Sequence, residues 1–466
     1  MTATLAIIAL LFIFSFSFRD KIMDLPSVPS SLIVPSRPVI PSTQPSPVAD
    51  SKACNVDVAA VQRYNLQGAV QYTRRDITVR LTDRPQPLST RMEGSLLDDT
   101  HPVDLSNPYA TTICPAPIKV EVPFSVASVE ASHLDFAIST TAERLMDAMD
   151  AFEHWAGGNN ARIFALIEPR ADTRKILRKA KAMGLSLHLL ASDDDYEKRY
   201  SSLVTILAEH ARQETKWSCI MDDDTFFPSM PRLVETLSQY DETKAYWIGG
   251  LTESQAQMAL FGIIAYGGAG MFFSRPMLHK LQTVWGACDA MNEHGDGKIA
   301  HCIYQHTTTK LTVEPGLHQL DLITDASGFF EASRSMPVSL HHWKSFFQAD
   351  MVKLSAVSTV CGDECLLRQW RFADGWILTN GYSVIQYSDK STDTRVMEKT
   401  WDDLNGSTDE SFISALGPLR GKDPNKISYR LEDTIVEQGQ VRQFYIHRSG
   451  QKIGNDHVLE LVWRLE

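Results

Sequence analysis

The chain has 466 residues, and a typical domain size of about 150 residues suggests roughly three structural units. Its 43% hydrophobic and 22% charged residues are ordinary for a globular protein and exclude a wholly disordered or collagen-like chain. Acidic residues outnumber basic ones by 57 to 45, giving a net charge of −12. This charge disfavours a general nucleic-acid binder, because such proteins neutralise phosphates with lysine and arginine.

The N-terminal segment is apolar. Residues 1–18 carry no charged side chain, and a helix of that length spans about 27 Å, enough for a thin bilayer. We predict a membrane anchor over residues 1–20. A cleaved signal peptide is the alternative, although no small-residue cleavage site follows Phe18. Basic side chains flank only the C-terminal end of the run, which by the positive-inside rule places the body in the cytosol.

A proline- and serine-rich stretch follows the anchor. Residues 24–50 contain seven prolines and show no hydrophobic periodicity, which favours extended polyproline II backbone. We predict a stem over residues 21–50. Residues 51–132 form an N-terminal extension that is irregular apart from one predicted strand at 74–81.

From residue 133 the pattern changes to alternating strands and helices. Strands are predicted at 133–140, 162–169, 185–192 and 217–221, with helices between them at 141–156, 171–184 and 200–214. Strands that alternate with helices of 10–15 residues predict a mostly parallel α/β sheet. We assign this α/β domain to residues 133–390 and a small β-rich region to 391–466.

The seven cysteines are too few for a disulfide scaffold but suffice for two or three bridges in an oxidising compartment. Cys361 and Cys365 have no second pair with which to bind zinc, so we expect a local disulfide. Cys219 lies in the middle of a strand and is our choice for the free thiol. Among fifteen pairings of six cysteines, the remaining choice is Cys54 with Cys114 and Cys288 with Cys302.

Three adjacent carboxylates, Asp222, Asp223 and Asp224, follow the strand at 217–221. Ligands of α/β sheets bind at the carboxyl ends of strands, and the mutual repulsion of three acids favours a compensating Mg²⁺ or Mn²⁺ with a diphosphate as co-ligand. A solvated acidic loop is the alternative. A second acidic run at 193–195 is predicted to be a helix N-terminus, where negative charge is favourable.

A glycine-rich turn comes some 40 residues later. Gly267, Gly268 and Gly270, around Ala269, remove side chains from one turn and allow a ligand or another segment to approach closely. The spacing is not that of a dinucleotide-binding fingerprint, and a tight structural turn is the alternative.

The ordered motifs WSCIMDDDTFF, YGGAGMFFS, a GD-x-x-x-x-x-C element and SLHH resemble a Fringe-like glycosyltransferase of family 31, in particular its fungal members, over residues 133–390. The resemblance implies a GT-A fold, a Rossmann-like mixed sheet flanked by helices. It also implies an inverting transfer from a nucleotide-sugar donor, usually a UDP-sugar, to a hydroxyl of a glycan or glycoprotein. The implied cofactor is Mn²⁺ or Mg²⁺.

The same resemblance implies a single-pass type II protein of the Golgi or secretory pathway with a lumenal catalytic domain. This topology agrees with the anchor and stem, and it overrides the orientation suggested by the flanking charges. A lumenal chain would also allow glycosylation at Asn405, in an N-x-S sequon.

The resemblance also assigns roles to residues. Asp224 would bind the metal together with a histidine of SLHH. We favour His341 over His342 because it matches the family spacing and because neighbouring residues of a strand face opposite sides. The nucleotide sugar would be bound by the following residues: Thr140, Thr141, Arg144, Asp222, Asp223, Gly267, Gly268, Ala269 and Gly270.

The family's general base is an aspartate in a Pro-Asp-Asp element. Here the matching residues are Gly295, Asp296 and Gly297, so the proline and the second acid are missing. We predict that Asp296 is the base and hold Asp289 as the reserve. The altered element leaves open a catalytically inactive protein that binds carbohydrate or nucleotide sugar, and a metal-dependent hydrolase is a further alternative.

Overall fold

The computed structural model describes residues 53–66, 68–97, 100–126, 128–169, 172–403, 411–450 and 456–466. The predicted anchor, the predicted stem and the sequon at Asn405 lie outside these residues. Among the described helices, none is both long enough and apolar enough to cross a membrane.

The N-terminal part of the described chain contains one long strand and several short ones. The sequence predicts one strand here and the structure has six, because several have only three or four residues and show no readable alternation. The elements are β1 Ala53–Asn55, α1 Val58–Gln62, β2 Ala69–Thr82, β3 Ser89–Arg91, β4 His101–Asp104, β5 Thr111–Ile113 and β6 Ile118–Pro123.

Strands and helices then alternate, as predicted. Asp195 caps α4 by accepting a hydrogen bond from the Lys198 backbone N–H at 2.9 Å, so the acidic run at 193–195 is indeed a helix N-terminus. The elements are β7 Leu134–Ser139, α2 Ala142–Ala156, β8 Arg162–Ile167, α3 Thr173–Ala182, β9 Ser186–Ala191, α4 Tyr196–His210, β10 Trp217–Ile220, α5 Met230–Ser238, β11 Trp247–Gly249, α6 Gln255–Phe261, β12 Met271–Ser274, α7 Arg275–Asp289, α8 Gly295–His306 and β13 Leu311–Val313.

These strands form a seven-stranded sheet in the order β13-β11-β12-β10-β7-β8-β9. Only β12 runs antiparallel to its neighbours in this sheet. All four residues of the central strand β10 are buried. The side chains of α2 pack in one hydrophobic cluster and those of α4, α7 and α8 in another. The predicted α/β class, a mixed sheet flanked by helices, is confirmed.

The C-terminal part of the chain returns to short helices and strands. Its elements are α9 Ser327–Glu331, α10 Met351–Ser355, α11 Ser358–Cys361, β14 Gln369–Arg371, β15 Ile377–Thr379, β16 Ser383–Gln386, β17 Met397–Glu398, β18 Phe412–Ile413, β19 Gly417–Arg420, β20 Ile427–Glu437, β21 Gln440–His447 and β22 His457–Leu465.

A second, ten-stranded sheet joins strands from both ends of the described chain. Its order is β3-β14-β15-β16-β20-β21-β22-β2-β4, and β6 also pairs with β2. The long strand β2 runs parallel to β22 along nine residue pairs, from Gln71 with His457 to Val79 with Leu465. The N-terminal strands and the C-terminal strands are therefore one structural unit.

Buried polar contacts and a shared core hold the ten-stranded sheet in place. The carboxylate of Glu460 on β22 is buried and accepts hydrogen bonds from Tyr72 of β2 at 2.7 Å and from Arg442 of β21 at 2.6 Å. Trp463 of β22 belongs to the same hydrophobic cluster as Phe136 of the seven-stranded sheet. The two sheets thus share one core.

The predicted disulfide pairing is confirmed. Bridges join Cys54 to Cys114, Cys288 to Cys302 and Cys361 to Cys365. Cys219 is a buried free cysteine on β10, as predicted. The Cys288–Cys302 bridge ties the last turn of α7 to α8.

Candidate active site

The aspartate triplet lies just beyond β10. The turn that carries it is fixed by Thr225, whose backbone N–H donates to the Asp222 carbonyl at 3.1 Å and whose hydroxyl donates to the Gly268 carbonyl at 2.9 Å. The next residue, Phe226, exchanges two backbone hydrogen bonds of 2.8 Å with Leu340. This bridge brings the SLHH segment alongside the triplet, since Leu340 directly precedes the two histidines.

Asp223 is neutralised by protein groups. Its carboxylate accepts two hydrogen bonds from the Arg144 guanidinium, one of them 2.7 Å long from Nε, and another from the Thr140 hydroxyl. The hydrogen bonds to Asp223 raise the pKa of Arg144 above its usual value. The neighbouring Thr141 instead caps α2, accepting from the backbone N–H of Arg144 at 3.2 Å. Asp223 and Arg144 therefore form a fixed, charge-balanced pair at the start of α2.

Asp224 and Asp222 share a histidine. The His341 ring is buried, and its Nε2 lies 3.0 Å from Asp224 Oδ1 and 3.2 Å from Asp222 Oδ2. Burial alone would raise the pKa of Asp224, but the adjacent His341 outweighs it, so this pKa is lowered. Burial acts against protonation of His341, yet Asp224 and Asp222 raise the pKa of the imidazole well above its usual value.

The surroundings of His341 Nε2 fit a metal ion. This buried atom faces two carboxylate oxygens, one from Asp224 and one from Asp222, at 3.0 and 3.2 Å. Nδ1 of the same ring faces the Gln319 carbonyl at 3.2 Å, a contact that leaves Nε2 free to act as a ligand. Carboxylate and imidazole donors together suit a divalent ion such as Mn²⁺.

His342 lies on the same side as His341, with the two ring centroids 3.7 Å apart. The backbone of His342 has a φ of +57°, outside strand conformation, so the alternation on which we based the choice between the two histidines does not apply. His342 Nε2 lies 3.1 Å from Asp321 Oδ1, and Nδ1 lies 2.9 Å from the Ser345 hydroxyl. Ligand atoms of Asp224, His341 and His342 all lie within 4.8 Å of one another.

The glycine turn separates His341 from Asp296. A Cβ added to Gly268 would lie 2.0 to 2.5 Å from three atoms of the His341 ring. A Cβ added to Gly267 would lie 2.6 Å from Asp296 Oδ1 and closer still to the Tyr200 hydroxyl. Both positions need glycine because buried side chains pack directly against the backbone on either side of the turn. The remaining turn residues, Ala269 and Gly270, follow in the same buried segment.

Asp296 stands in the first turn of α8 and is held by two donors. Its Oδ2 accepts a hydrogen bond of 2.7 Å from the Gly267 N–H, and its Oδ1 accepts one from the Tyr200 hydroxyl. Burial raises the pKa of Asp296 to about 6. The reserve candidate, Asp289, is exposed at the last residue of α7. Of the two, the structure brings Asp296 to the glycine turn.

The loop that contains Gln319 also supports the site, although the sequence analysis did not assign it to the site. Gln319 accepts a hydrogen bond from the Ala269 N–H at 2.9 Å, so one residue contacts both the glycine turn and His341. Buried Glu253 anchors the loop by accepting from the Leu320 N–H at 2.6 Å. Neither residue lies in a motif, and only the three-dimensional contacts reveal them.

A protein-family model described as Fringe-like matches residues 186–359. The matched segment contains the aspartate triplet, the glycine turn, Asp296 and both histidines. Over residues 186–359 the chain therefore resembles a Fringe-like domain. The resemblance predicted from the motifs is confirmed over this segment, while the fungal family 31 subtype stays a prediction. Thr140, Thr141 and Arg144 precede the matched segment and reach the Fringe-like site through Asp223 and the cap of α2.

No curated protein matches the chain. Among solved structures, the mannosyltransferase PcManGT of Pyrobaculum calidifontis, in complex with GDP-Man and Mn²⁺, is 12% identical with a TM-score of 0.30, over 41% of this chain and 60% of that chain. S. aureus TarS with UDP-GlcNAc is 9% identical with a TM-score of 0.27, over 39% and 55%. GlyE of Streptococcus pneumoniae is 10% identical with a TM-score of 0.32, over 48% and 59%. Similarities of this size carry no argument about function.

The packing of Gly268 against His341 yields a prediction for the Fringe-like domain. Gly268→Ala will displace the imidazole, because the new Cβ would overlap three ring atoms. We expect Mn²⁺ affinity to fall roughly 10- to 100-fold, the usual effect of misplacing a metal ligand. Calorimetric titration with Mn²⁺ measures this. The control is Gly286→Ala in α7, where an added Cβ meets no atom within 4 Å. Equal Mn²⁺ affinity in Gly268→Ala and Gly286→Ala would show that His341 does not hold the ion.

Proposed function

We propose that this chain is a metal-dependent, inverting glycosyltransferase that moves a sugar from a nucleotide donor, a UDP-sugar, to a hydroxyl of a glycan or glycoprotein. The observation that carries the proposal is the pairing of two sites across one glycine turn. On one side lie Asp224 and Nε2 of His341, 3.0 Å apart. On the other side lies Asp296, a carboxylate poised near neutral pH.

The donor would bind along the carboxyl end of β10. Asp223 is held by Arg144 and Thr140, so its carboxylate has a fixed direction from which to contact the nucleotide sugar. Asp224 and His341 would hold the divalent ion, with His342 beside them. When bound, such an ion neutralises the charge that develops on the diphosphate leaving group. A separate leaving-group acid is then unnecessary, unlike in a glycosidase with two catalytic carboxylates.

Asp296 would act as the general base. In a single displacement, the acceptor oxygen forms a bond to the anomeric carbon while the bond from that carbon to the diphosphate breaks. The proton of the acceptor hydroxyl passes to the Asp296 carboxylate. A raised pKa makes this carboxylate a better proton acceptor than an ordinary aspartate. Burial raises the pKa of Tyr200 well above its usual value, so its hydroxyl stays protonated and keeps donating to Asp296.

Separate effects on binding and transfer test these roles. Asp224→Asn will weaken Mn²⁺-dependent UDP binding roughly 10- to 100-fold. Asp296→Asn will leave that binding intact and lower the transfer rate about 10²- to 10⁴-fold, the usual contribution of a general base. Calorimetry with UDP and a radiolabelled-sugar transfer assay measure the two quantities.

Each of these variants has a matched control. Asp193→Asn changes an exposed aspartate of the other acidic run, and Asp289→Asn changes the reserve base. Both should behave as wild type. Unchanged UDP binding in Asp224→Asn would refute the metal assignment. Normal transfer by Asp296→Asn with loss in Asp289→Asn would move the base to Asp289. Sugar release without an acceptor would instead indicate a hydrolase.

The raised pKa of Asp296 predicts a pH dependence. The base must be ionised, so kcat/KM at saturating Mn²⁺ should reach a plateau above an apparent pKa of about 6 and fall about tenfold per pH unit below it. UDP binding measured over the same range corrects for loss of the ion at low pH. Transfer that shows no inflection between pH 5 and 7, with UDP binding constant, would contradict this role of Asp296.

We further propose that the catalytic body lies in the lumen of the Golgi or secretory pathway on an N-terminal type II anchor. The apolar run in residues 1–18 and the proline-rich stem support this topology, as do three disulfides, which form in oxidising compartments. In sealed microsomes the body should resist added protease until detergent is present. Digestion without detergent would mean that the orientation is reversed.

A further inference from the structure

A cavity lies against the ten-stranded sheet. It measures about 490 Å³ and is lined by four arginines, Arg91, Arg334, Arg371 and Arg395, together with three serines and the apolar side chains of Pro87 and Leu88. No aspartate or glutamate lines it. None of its lining residues belongs to the cluster around Asp224, His341 and Asp296.

Two of these arginines face each other in the sheet. Strands β3 and β14 pair in parallel, and their register sets Arg91 directly opposite Arg371. Like charges at directly opposite positions of neighbouring strands are destabilising. The register therefore places two like-charged residues at neighbouring positions of the sheet, an arrangement that strand pairing alone does not favour.

Within the described part of the chain, one carboxylate, that of Asp393, lies near these arginines. It accepts hydrogen bonds from Arg395 Nε at 3.0 Å and Nη2 at 2.8 Å, and it interacts electrostatically with Arg371. Arg91, Arg334 and Arg371 make no ion pair within 4.0 Å and no side-chain hydrogen bond to any described residue. Arg334 is half-buried, and burial lowers the pKa of its guanidinium.

The cavity wall also offers a neutral donor. Ser89, on β3 beside the paired arginines, has a buried hydroxyl oxygen with no hydrogen-bond partner among the described residues. Buried polar atoms are normally hydrogen-bonded, so the Ser89 hydroxyl has a hydrogen bond available for a ligand. Arginines and a serine hydroxyl together are the donors that proteins use for oxyanions.

We propose that this cavity is a binding site for a ligand bearing a tetrahedral oxyanion, a phosphate or a sulfate, separate from the nucleotide-sugar site. Arg91 and Arg371 bind the oxyanion between them, which replaces their mutual repulsion with two charge-assisted contacts. Arg334 adds a third cation at the wall. The volume of about 490 Å³ falls in the usual range of small-molecule sites, so a phosphorylated or sulfated saccharide fits as well as a free ion.

The test titrates the full-length chain, in EDTA to silence the metal site, with five probes: inorganic phosphate, inorganic sulfate, glucose 6-phosphate, glucose 6-sulfate and glucose. We expect the charged probes to bind and glucose not to bind. The double variant Arg91→Gln/Arg371→Gln should weaken binding at least tenfold. The control, Arg80→Gln, removes an exposed arginine of β2 that pairs with Glu121 outside the cavity and should bind as wild type.

The probes distinguish the two sources of the oxyanion. Tighter binding of the charged sugars than of the inorganic ions identifies a saccharide ligand, and equal binding identifies a free ion; both outcomes support the site. Failure of every charged probe to bind at 10 mM, or equal binding by the wild type and the double variant, would overturn the proposal.

A thermal melt of each variant without probe detects a merely structural role of the arginines. Relief of the like-charge pair should leave the melting temperature of the double variant unchanged or higher. A clear drop would mean that Arg91 and Arg371 serve the fold rather than a ligand, and would also overturn the proposal. Mn²⁺-dependent UDP binding should stay normal in the double variant, so this test can fail while the proposed transferase function stands.

Discussion

Electrostatic repulsion among three consecutive carboxylates at the end of a buried strand governs the rest of the site. The fold compensates this repulsion in two different ways. Asp223 is balanced by Arg144, a permanent cation brought in by α2. Asp222 and Asp224 instead face the imidazole of His341, whose compensating charge depends on an added proton. A divalent ion can take the place of that proton. Asp222 and Asp224 are therefore the part of the triplet whose compensating positive charge can be exchanged.

The glycine turn brings the His341 ring and the Asp296 carboxylate against the same segment of backbone. Gly268 lets the His341 ring pack directly against the backbone, and Gly267 donates its N–H to Asp296. Two adjacent glycines therefore contact the His341 ring and the Asp296 carboxylate.

The sequence predicted the elements that are determined by local residue patterns. Strands β7 to β10 and their helices follow clear periodicity, and the triplet stands out because it directly follows one of those strands. The contacts of Tyr200, Gln319 and Glu253 are long-range, and single residues of these types carry no signal of their own. The positive φ of His342 invalidated an argument that assumed regular strand geometry. The pairing of β2 with β22 could not be predicted either, because parallel pairing between strands far apart in the sequence leaves no local pattern.

The pairing of β2 with β22 has a kinetic consequence. Tyr72 and Glu460, which are hydrogen-bonded across these strands, are 388 residues apart in the chain. During synthesis β2 can pair early with β4 and β6, but the edge that pairs with β22 stays open until the last strand has been made. Late closure of distant strands slows folding and prolongs exposure of aggregation-prone edges. The maturation of this protein should accordingly depend on chaperones that shield the β2 segment until the final strands arrive.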